Sequence, residues 1–330
     1  MKAILIPGDG IGHEISESVL RVSEALSSQI EWETYQAGAE EYEASGKLMQ
    51  DGLLEAVSEV GVALKGPTAT PIGSGFRSIN VQLRQHFKTY ANLRPVHSIP
   101  GVKSRFENVD IVIVRENTED LYKGIEYQVG DDVAHGIKLI TKSASEEIAE
   151  YAFQYAVKHG RKKVTCVHKA NIMKLTDGLF LKTFQEVAER YPQIEADSVI
   201  VDAVTMKLVT DPTQFDVLVA PNLYGDIVSD LCAGLVGGLG FAPSANIGHD
   251  VTIYEAVHGS APDIAGQGIS NPTALLLSFA MLLKDNNMVA LAEKLESAIY
   301  DTLSEGKYTT PDVGGNSSTQ DFTEAIISKF

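Results

Sequence analysis

Two aspartates, Asp226 and Asp230, lie four residues apart just after the apolar run 216–220. That run predicts a buried strand, and the Gly-containing segment that follows predicts a helix. Residues i and i+4 share one helix face, so the two carboxylates would repel each other unless a cation lies between them. Oxygen-only ligands suit Mg²⁺ or Mn²⁺. The alternative, which is more common for isolated i,i+4 acids, is a solvated helix face.

A third acid, Asp202, follows another apolar run, 197–201, and could join the same site. Arginines form a second candidate cluster. Arg84 and Arg94 are close in sequence, and Arg115 directly follows the apolar run 111–114. Guanidinium groups match carboxylates with paired hydrogen bonds, so converging arginines without nearby acids predict an anionic ligand. The alternative for each arginine is a local partner, Glu or Asp.

Ser78 and Asn80 are short polar residues just before Arg84. They could hydrogen-bond a further carboxylate of the same ligand, or they could simply cap a loop or helix.

Strand and helix patterns alternate along the chain and must position these residues. Short apolar runs at 111–114, 164–167 and 217–220 are typical of strands buried on both faces. The alternation predicts an α/β fold with a largely parallel sheet, and ligands of such folds bind beyond the carboxyl ends of the strands. Arg115, Lys169 and Asp226 follow these runs. Between them, Ser143 and Glu146 predict a capping box for a helix that reaches about His159.

The chain has 330 residues and a net charge of −17, so a nucleic-acid partner is not expected. It has no apolar run of 18 residues, and no membrane span is predicted. The N-terminus enters a predicted strand directly, which predicts a cytoplasmic protein without a targeting segment.

A glycine loop at 8–12 follows the first predicted strand and invites comparison with a dinucleotide-binding fingerprint. His13 occupies the position of the third glycine, so the match is incomplete. The alternative is a tight turn that needs positive φ.

Longer motifs resemble the β-decarboxylating dehydrogenases, a family that comprises isocitrate, homoisocitrate and 3-isopropylmalate enzymes. They occur in consistent order over nearly the whole chain, at Gly66-Pro67, Arg84…Arg94-Pro95, 115–119 (RENTE), 168–171 (HKAN), 222–230 (NLYGDIVSD) and 255–263 (EAVHGSAPD).

The resemblance implies an isopropylmalate dehydrogenase-like fold rather than a standard Rossmann fold. Two α/β domains would share a mostly parallel central sheet. The large domain, on the cofactor side, would comprise 1–96 plus 247–330. The small domain, 97–246, would carry the dimer interface and the metal ligands. Family members form dimers whose active sites take residues from both subunits, so a homodimer is expected.

The resemblance also implies roles for individual residues. Mg²⁺ or Mn²⁺ would be held by Asp226 and Asp230 with Asp202 of the neighbouring subunit, and would lower the pKa of the substrate hydroxyl. Lys169 of the neighbouring subunit would be the base, and Tyr122 would be the acid that protonates carbon after CO₂ leaves. The implied substrate-binding residues are Ser78, Asn80, Arg84, Arg94 and Arg115, with Asn171 of the neighbouring subunit.

NADP-dependent relatives carry Lys-Tyr after the HGSAP motif, whereas this chain has Asp263-Ile264. An aspartate repels a 2′-phosphate and accepts a hydrogen bond from a free ribose hydroxyl, so NAD is expected. The implied cofactor-binding residues are Thr70, His258, Gly259, Ser260, Ala261, Asp263, Ile264 and Asn271.

Ser78-Ile-Asn80 matches the isocitrate pattern, and isocitrate is therefore the expected substrate. Homoisocitrate and 3-isopropylmalate remain alternatives. A non-catalytic regulatory subunit of a hetero-oligomeric isocitrate dehydrogenase is a further alternative, which the retained Tyr122, Lys169 and three aspartates disfavour.

Overall fold

The computed structural model describes residues 1–69 and 78–330. Within these residues, ten strands form one sheet in the order β2-β1-β3-β12-β11-β4-β5-β10-β8-β9, and β6 and β7 form a separate hairpin. The strands are β1 (Lys2–Ile6), β2 (Glu31–Thr34), β3 (Val62–Lys65), β4 (Ala91–His97), β5 (Asp110–Glu116), β6 (Glu126–Val129), β7 (Val133–Gly136), β8 (Lys163–His168), β9 (Glu195–Ile200), β10 (Val217–Ala220), β11 (Pro243–Ile247) and β12 (Thr252–Ala256).

Helices cover both faces of the sheet. The α-helices are α1 (Gly12–Ala25), α2 (Ala39–Ser45), α3 (Leu53–Val60), α4 (Ile79–His86), α5 (Lys142–Lys158), α6 (Thr176–Ala188), α7 (Val201–Thr210), α8 (Asn222–Leu235), α9 (Thr273–Asp285), α10 (Val289–Glu305) and α11 (Thr319–Ile327). The predicted α/β class with a mostly parallel sheet is confirmed.

The sheet consists of two parallel halves that run in opposite directions. Strands β2, β1, β3 and β12 are mutually parallel, as are β5, β10, β8 and β9. Between them, β11 pairs antiparallel with β12 and β4, and β4 pairs antiparallel with β5. The sheet as a whole therefore lacks one common carboxyl edge, but β5, β8 and β10 share one. Lys169 and Asp226 follow β8 and β10 as expected, whereas Arg115 lies inside β5, one residue before its end.

Each half of the sheet has its own apolar packing on both faces. Helices α1, α9, α10 and α11 cover one face of the half that contains β1, and α3 and α4 cover the other. In the half that contains β5, α5 and α6 cover one face, and α7 and α8 cover the other. The predicted assignment of 1–96 plus 247–330 and 97–246 to two domains stays a prediction.

Helix α5 begins earlier than its predicted capping box. Its N-cap is Thr141, whose side chain accepts a hydrogen bond from the Ala144 N–H, and Ser143 already lies within the helix. Thr141 rather than Ser143 caps α5 because the backbone N–H and hydroxyl of Thr141 donate hydrogen bonds to the carboxylate of Glu119. These bonds anchor Thr141 at the helix start. The Ser143–Glu146 prediction is therefore wrong by two residues.

The glycine loop is a tight turn, as its incomplete fingerprint suggested. Gly8 has φ 76° and Gly10 has φ 60°. A Cβ at these positions would lie 2.1 Å from the Pro67 carbonyl oxygen and 2.2 Å from that of Ser260. The glycines thus permit close backbone contact. Throughout the described part of the chain, each helix is too short or too polar to cross a membrane.

Candidate active site

A cavity of about 260 Å³ lies on the sheet face covered by α4 and α8, where the two halves of the sheet meet. It brings together many residues that are far apart in sequence. Those that the sequence predicted for a site are Ser78, Asn80, Arg84, Arg94, Arg115, Tyr122, Asp226, His258 and Gly259.

One wall of the cavity is built on a buried glutamate. Glu255 on β12 lies beside Lys65 on the parallel neighbour β3, with 2.8 Å between Lys65 Nζ and Glu255 Oε2. Arg84 from α4 approaches the other oxygen, at 3.2 Å from its Nη2. Burial by itself would raise the pKa of Glu255, but the two cations outweigh it and hold this pKa far below its usual range.

The antiparallel pairing of β4 with β5 brings two arginines to one face of the sheet. Asn92 is directly opposite Arg115, and Arg94 lies two residues further along β4 on the same face. Arg94 Nε donates to Asn92 Oδ1 at 2.7 Å. Arg115 Nε and Nη2 both donate to Asn222 Oδ1 at the start of α8, at 3.0 and 2.8 Å. Both guanidinium groups are thus fixed before any ligand binds.

The same guanidinium groups contact the aspartate pair on α8. Arg115 hydrogen-bonds Asp226, and Arg94 lies 3.4 Å from Asp226 and 3.2 Å from Asp230. The expectation that the arginines lack nearby acids is therefore wrong, because tertiary packing supplies α8 and Glu255. Burial lowers the pKa of Arg115 to about 9, and the charges of Arg84 and Arg94 add to this shift, yet it remains charged at neutral pH.

The two aspartates differ in their electrostatic surroundings. For Asp226, burial favours the neutral form, but the charge of Arg115, a hydrogen bond from Tyr122 and the charge of Arg94 lower its pKa below the ordinary value. For Asp230, burial and the charge of Asp226 prevail over Arg94 and raise its pKa. Asp226 therefore has the lower pKa of the two aspartates.

Counted over the described residues, the ion pairs at the cavity form a network with a net positive charge. They join the cations Lys65, Arg84, Arg94 and Arg115 with the carboxylates Asp226, Asp230 and Glu255. Among the described residues, four cations against three carboxylates leave this network one positive charge in excess, although the whole chain carries −17. Asp230 belongs to the network through Arg94 but does not line the cavity.

Tyr122 extends toward α8 from a short 3-10 turn, Leu121–Lys123. Its hydroxyl donates to Asp226, and the guanidinium of Arg115 lies 4.9 Å from its ring centre. Burial and the hydrogen bond to Asp226 raise the pKa of Tyr122, so the hydroxyl keeps its proton at neutral pH.

Lys169, Asn171 and Asp202 do not line this cavity in the described chain. Lys169 follows β8 and Asp202 opens α7 after the neighbouring strand β9, and the two side chains form an ion pair. That hydrogen bond from Lys169 lowers the pKa of Asp202. Asn171 is exposed. Within one chain, only two of the three predicted metal ligands come together, and the described residues contain no cluster of three His, Cys, Asp or Glu side chains suited to a metal.

Ser78 and Asn80 lie at the start of α4, where both line the cavity. Ser78 is the N-cap residue, but its side chain makes no capping hydrogen bond to the described helix. Asn80 Oδ1 accepts a hydrogen bond from Thr68 Oγ1 at 3.2 Å. The alternative of a side-chain cap at Ser78 is thus not what the structure shows.

A second cavity, of about 670 Å³, adjoins the first. His258 and Gly259 line both, and Ala261, Ile264 and Asn271 line the second. Burial lowers the pKa of His258, and its Nε2 is a buried polar atom without a hydrogen-bond partner in the described chain. A ligand that extends across both cavities would pass this nitrogen.

The remaining cofactor predictions have different surroundings. Ser260 presents its carbonyl oxygen to the Ile11 N–H at 2.9 Å. Asp263 is exposed and does not line the second cavity, and Thr70 lies outside the described residues. Ala261 has φ 39°, an unusual value for a residue with a side chain, in the turn beside the cavity.

Sequence reasoning missed several residues of these cavities, among them Lys65, Glu255 and Asp312. Lys65 ends an apolar strand and is only 2 % exposed, a burial that a lysine rarely reaches without a partner. Its position directly before the Gly66-Pro67 motif was the available signal. Asp312, which accepts a hydrogen bond from Asn271 Nδ2 at 3.0 Å, lies 41 residues away and has no local signal.

Comparison with known proteins places the chain in a family. The family model described as isocitrate/isopropylmalate dehydrogenase matches residues 2–326. A catalytic subunit of mitochondrial NAD isocitrate dehydrogenase from Arabidopsis thaliana is 54% identical over 98% of this chain and 87% of its own. A regulatory subunit of the mitochondrial NAD enzyme from Dictyostelium discoideum is 55% identical over 99% of this chain and 91% of its own.

Among solved structures, isocitrate dehydrogenase from Methylococcus capsulatus superimposes with a TM-score of 0.96. It is 47% identical, and the match covers 99% of this chain and 98% of that one. The expected isopropylmalate dehydrogenase-like fold is therefore confirmed.

The predicted cytoplasmic location is contradicted by these comparisons, because the two relatives at 54% and 55% identity are mitochondrial proteins. The start of the chain was a poor guide to location. Motifs, fold and comparisons agree, and the chain belongs to the isocitrate/isopropylmalate dehydrogenase family.

Proposed function

We propose that the protein is an NAD-dependent isocitrate dehydrogenase, which converts isocitrate to 2-oxoglutarate and CO₂. The observation that carries the proposal is the ion-pair network of described residues at the cavity, which has one positive charge in excess and lies beside Ser78 and Asn80. A tricarboxylate and a divalent cation together carry one net negative charge and would balance it. A dicarboxylate such as 3-isopropylmalate would leave the excess unbalanced in a partly buried site.

Arg84, Arg94 and Arg115 would bind the substrate carboxylates. Their guanidinium groups are held in place by Glu255, Asn92 and Asn222, so little conformational entropy remains to be lost on binding. Ser78 and Asn80 would bind the carboxylate that distinguishes isocitrate from 3-isopropylmalate. Rejection of a substrate that leaves such polar groups unpaired is strong.

Asp226 and Asp230 would hold Mg²⁺ or Mn²⁺ together with Asp202 of the partner subunit. These residues suit a divalent cation because their carboxylate oxygens lie on one helix face and Asp226, whose pKa is lowered, is ionised. When bound, the ion supplies Lewis-acid polarisation of the substrate hydroxyl. In one chain Lys169 and Asp202 form a neutral pair away from the cavity, which is compatible with their serving the partner's site.

Two proton transfers would use residues of this chain. Lys169 of the partner subunit would accept the proton of the substrate hydroxyl during hydride transfer, which requires that its amine has first lost its own proton. Tyr122 would donate its phenolic proton to carbon after CO₂ departs, and its raised pKa keeps that proton available at neutral pH. Asn171 of the partner subunit would contact the substrate.

NAD would occupy the second cavity and reach the first past His258 and Gly259. The unpaired Nε2 of His258 supports this path. Ser260, Ala261, Ile264 and Asn271 would contact the nucleotide, and Asp263 would disfavour a 2′-phosphate near the entrance. Thr70 is also proposed as a cofactor-binding residue, on the family resemblance alone.

The test is a matched set of assays on the purified chain. Isocitrate, homoisocitrate and 3-isopropylmalate are each supplied with NAD or NADP, in Mg²⁺ or Mn²⁺, with and without a chelator. We expect the highest kcat/KM for isocitrate with NAD and full loss on chelation, restored by excess metal. Chelator-resistant turnover would contradict the metal site, and preference for another substrate would contradict the role of Ser78 and Asn80.

A second function has one specific observation in its favour, the 55% identity to a regulatory subunit. Under it, the chain would bind ligands but not turn over alone. The same assays separate the two functions, because a purified regulatory chain would show no turnover with any substrate and cofactor.

A further inference from the structure

Behind the candidate active site lies a buried charged cluster of three residues, Asp120, Lys138 and Asp177. Their side chains are 0%, 8% and 0% exposed. Lys138 Nζ lies 2.7 Å from Asp177 Oδ1 and 3.8 Å from Asp120 Oδ1. None of the three lines the candidate cavity among the described residues, so they do not contact the substrate there.

Asp120 holds the starts of two elements at once. Its Oδ1 accepts a hydrogen bond from the Leu121 N–H at 2.8 Å, and its Oδ2 accepts one from the Leu223 N–H at 3.0 Å. The first bond fixes the 3-10 turn that carries Tyr122. The second fixes the first turn of α8, which carries Asp226 one turn further on.

Asp177 fixes the loop that carries Lys169. Its Oδ2 accepts a hydrogen bond from the backbone N–H of Lys169 at 2.7 Å. This bond anchors the loop between β8 and α6, from which the Lys169 side chain projects toward Asp202. Asp177 itself lies in the first turn of α6.

Lys138 connects these two anchors. It lies just before α5, and its ammonium also lies 4.1 Å from the ring centre of Tyr224, which is in α8 between Leu223 and Asp226. A buried ion pair rarely stabilises a fold more than well-packed apolar residues would, because desolvation of the charges offsets their attraction. Stability alone therefore gives little reason for a lysine here, whereas the geometry gives a specific one.

We propose that Lys138 and Asp177 are positioning residues that tie the Tyr122–Asp226 side of one active site to the Lys169 loop, which serves the other site of the dimer. The inference rests on the proposed function, in which Lys169 acts in the partner's site. One buried ammonium then sets the positions of groups in two active sites, and its loss misplaces both.

The first test is Lys138→Met, which keeps the length of the side chain and removes its charge. We expect kcat for isocitrate to fall by roughly 10- to 100-fold with KM changed by less than about threefold, since a misplacement near 1 Å has effects of this size. Lys138→Arg, which keeps the charge, should recover part of the loss. The control is Lys142→Met, whose exposed ammonium pairs with Glu186 at 2.8 Å and which should leave kcat unchanged.

A purely structural role predicts a different result. Lys138→Met would then lower the melting temperature but leave kcat per folded dimer unchanged, and that outcome overturns the proposal. If Lys138→Met fails to fold, Lys138→Met with Asp177→Asn removes both charges of the 2.7 Å pair. The same loss of kcat is expected for the double variant, and unchanged kcat in it likewise overturns the proposal.

The second test separates the two sides in a heterodimer with two affinity tags. One chain carries Lys169→Met and the other Tyr122→Phe, which leaves one site with both groups intact. Recovered activity supports the shared-site function, and no recovery overturns that function whatever Lys138 does.

Lys138→Met is then added to either chain of the active heterodimer. On the chain that supplies Tyr122 it tests the α8 side, and on the chain that supplies Lys169 it tests the loop. We expect at least about a fivefold loss of kcat in each placement. A loss in one placement only, or in neither, overturns the proposed connection while leaving the proposed function intact.

Discussion

At the residue scale, the candidate site consists of ion pairs that are formed before substrate arrives. Arg94 contacts Asp226 and Asp230, and Glu255 is shared by Lys65 and Arg84. Each partner keeps the other ionised in surroundings where an isolated charge would be costly. The consequence is a set of ion pairs whose loss should be visible in both stability and activity.

Glu255→Gln tests the buried carboxylate. At pH 7 the variant leaves Lys65 and Arg84 without their buried partner, and we expect the free energy of unfolding to fall by about 3–5 kcal/mol. Because the folded pKa of Glu255 is depressed, its contribution is fully present above its unfolded pKa and is lost as pH falls. The difference from wild type should therefore shrink by about 1 kcal/mol between pH 7 and pH 4.

Urea denaturation at the two pH values measures that difference. Glu305→Gln is the control, because Glu305 pairs with Lys329 at the surface and its side chain is 56% exposed. Its substitution should change little at either pH. A Glu255→Gln variant as stable as this control would contradict the assigned role of the ion pairs.

Tyr122→Phe tests the proton donor. The variant removes the hydroxyl and its hydrogen bond to Asp226 but keeps the ring against Arg115. We expect kcat for isocitrate to fall by roughly 10²- to 10⁴-fold, the usual contribution of a positioned acid, with a smaller change in KM. Tyr308→Phe, at a 41% exposed tyrosine, is the matched control, and steady-state kinetics are the measurement. Equal kcat in the two variants would exclude Tyr122 as the acid.

At the scale of elements, helix α8 combines several functions. It carries the aspartate pair, provides Asn222 to Arg115, and packs closely on β5 through Gly225. A Cβ at Gly225 would lie 2.6 Å from Arg115 Cγ, nearer than side chains approach each other. The absence of a side chain at this position is what lets the arginine lie flat against the helix.

Gly225→Ala should therefore displace Arg115. We expect a stability loss of about 1–3 kcal/mol from overpacking and at least a roughly tenfold fall in kcat/KM for isocitrate. Gly234→Ala in the same helix is the control, since its Cβ would meet no atom within 4 Å. The free energy of unfolding of that variant should rise by up to about 1 kcal/mol, because alanine has a higher helix propensity than glycine, and its kcat/KM should stay unchanged. Thermal melts and kinetics on both variants make the comparison, and a harmless Gly225→Ala would refute the packing argument.

At the scale of the whole molecule, one chain does not bring all the predicted groups together. Lys169 and Asp202 lie away from the cavity that holds Tyr122 and Asp226. Near them, large apolar side chains are exposed: Ile172 at 66%, Leu175 at 88% and Met206 at 56%. A second copy that covers these side chains would also receive Lys169 and Asp202, as the proposed shared sites require.

Met206→Asp should separate the copies. Met206 lies one turn after Asp202 in α7, and a charge there opposes burial against a partner. We expect a folded monomer whose activity is lost, measured by size-exclusion chromatography, circular dichroism and kinetics. Val289→Asp, at a 48% exposed valine at the start of α10, is the control and should stay assembled and active. A fully active Met206→Asp monomer would contradict shared sites.

The sequence by itself determined the local relations of this protein. The i,i+4 spacing placed Asp226 and Asp230 on one helix face, apolar runs predicted the strands, and long motifs identified the family and most cavity residues. Such relations depend on helix and strand periodicity, which neighbouring residues set. At the cap of α5 a local prediction failed, because Glu119, a residue distant in sequence, anchors Thr141.

The tertiary structure decided everything that depends on strand order and long-range pairing. It brought Asp226, Asp230 and Glu255 to the arginines, left Lys169 and Asp202 outside the cavity, and reversed the direction of one half of the sheet. Local spacing carries no information on which strand lies beside which. These contacts arise when the whole chain minimises exposed apolar surface and unpaired buried charge together.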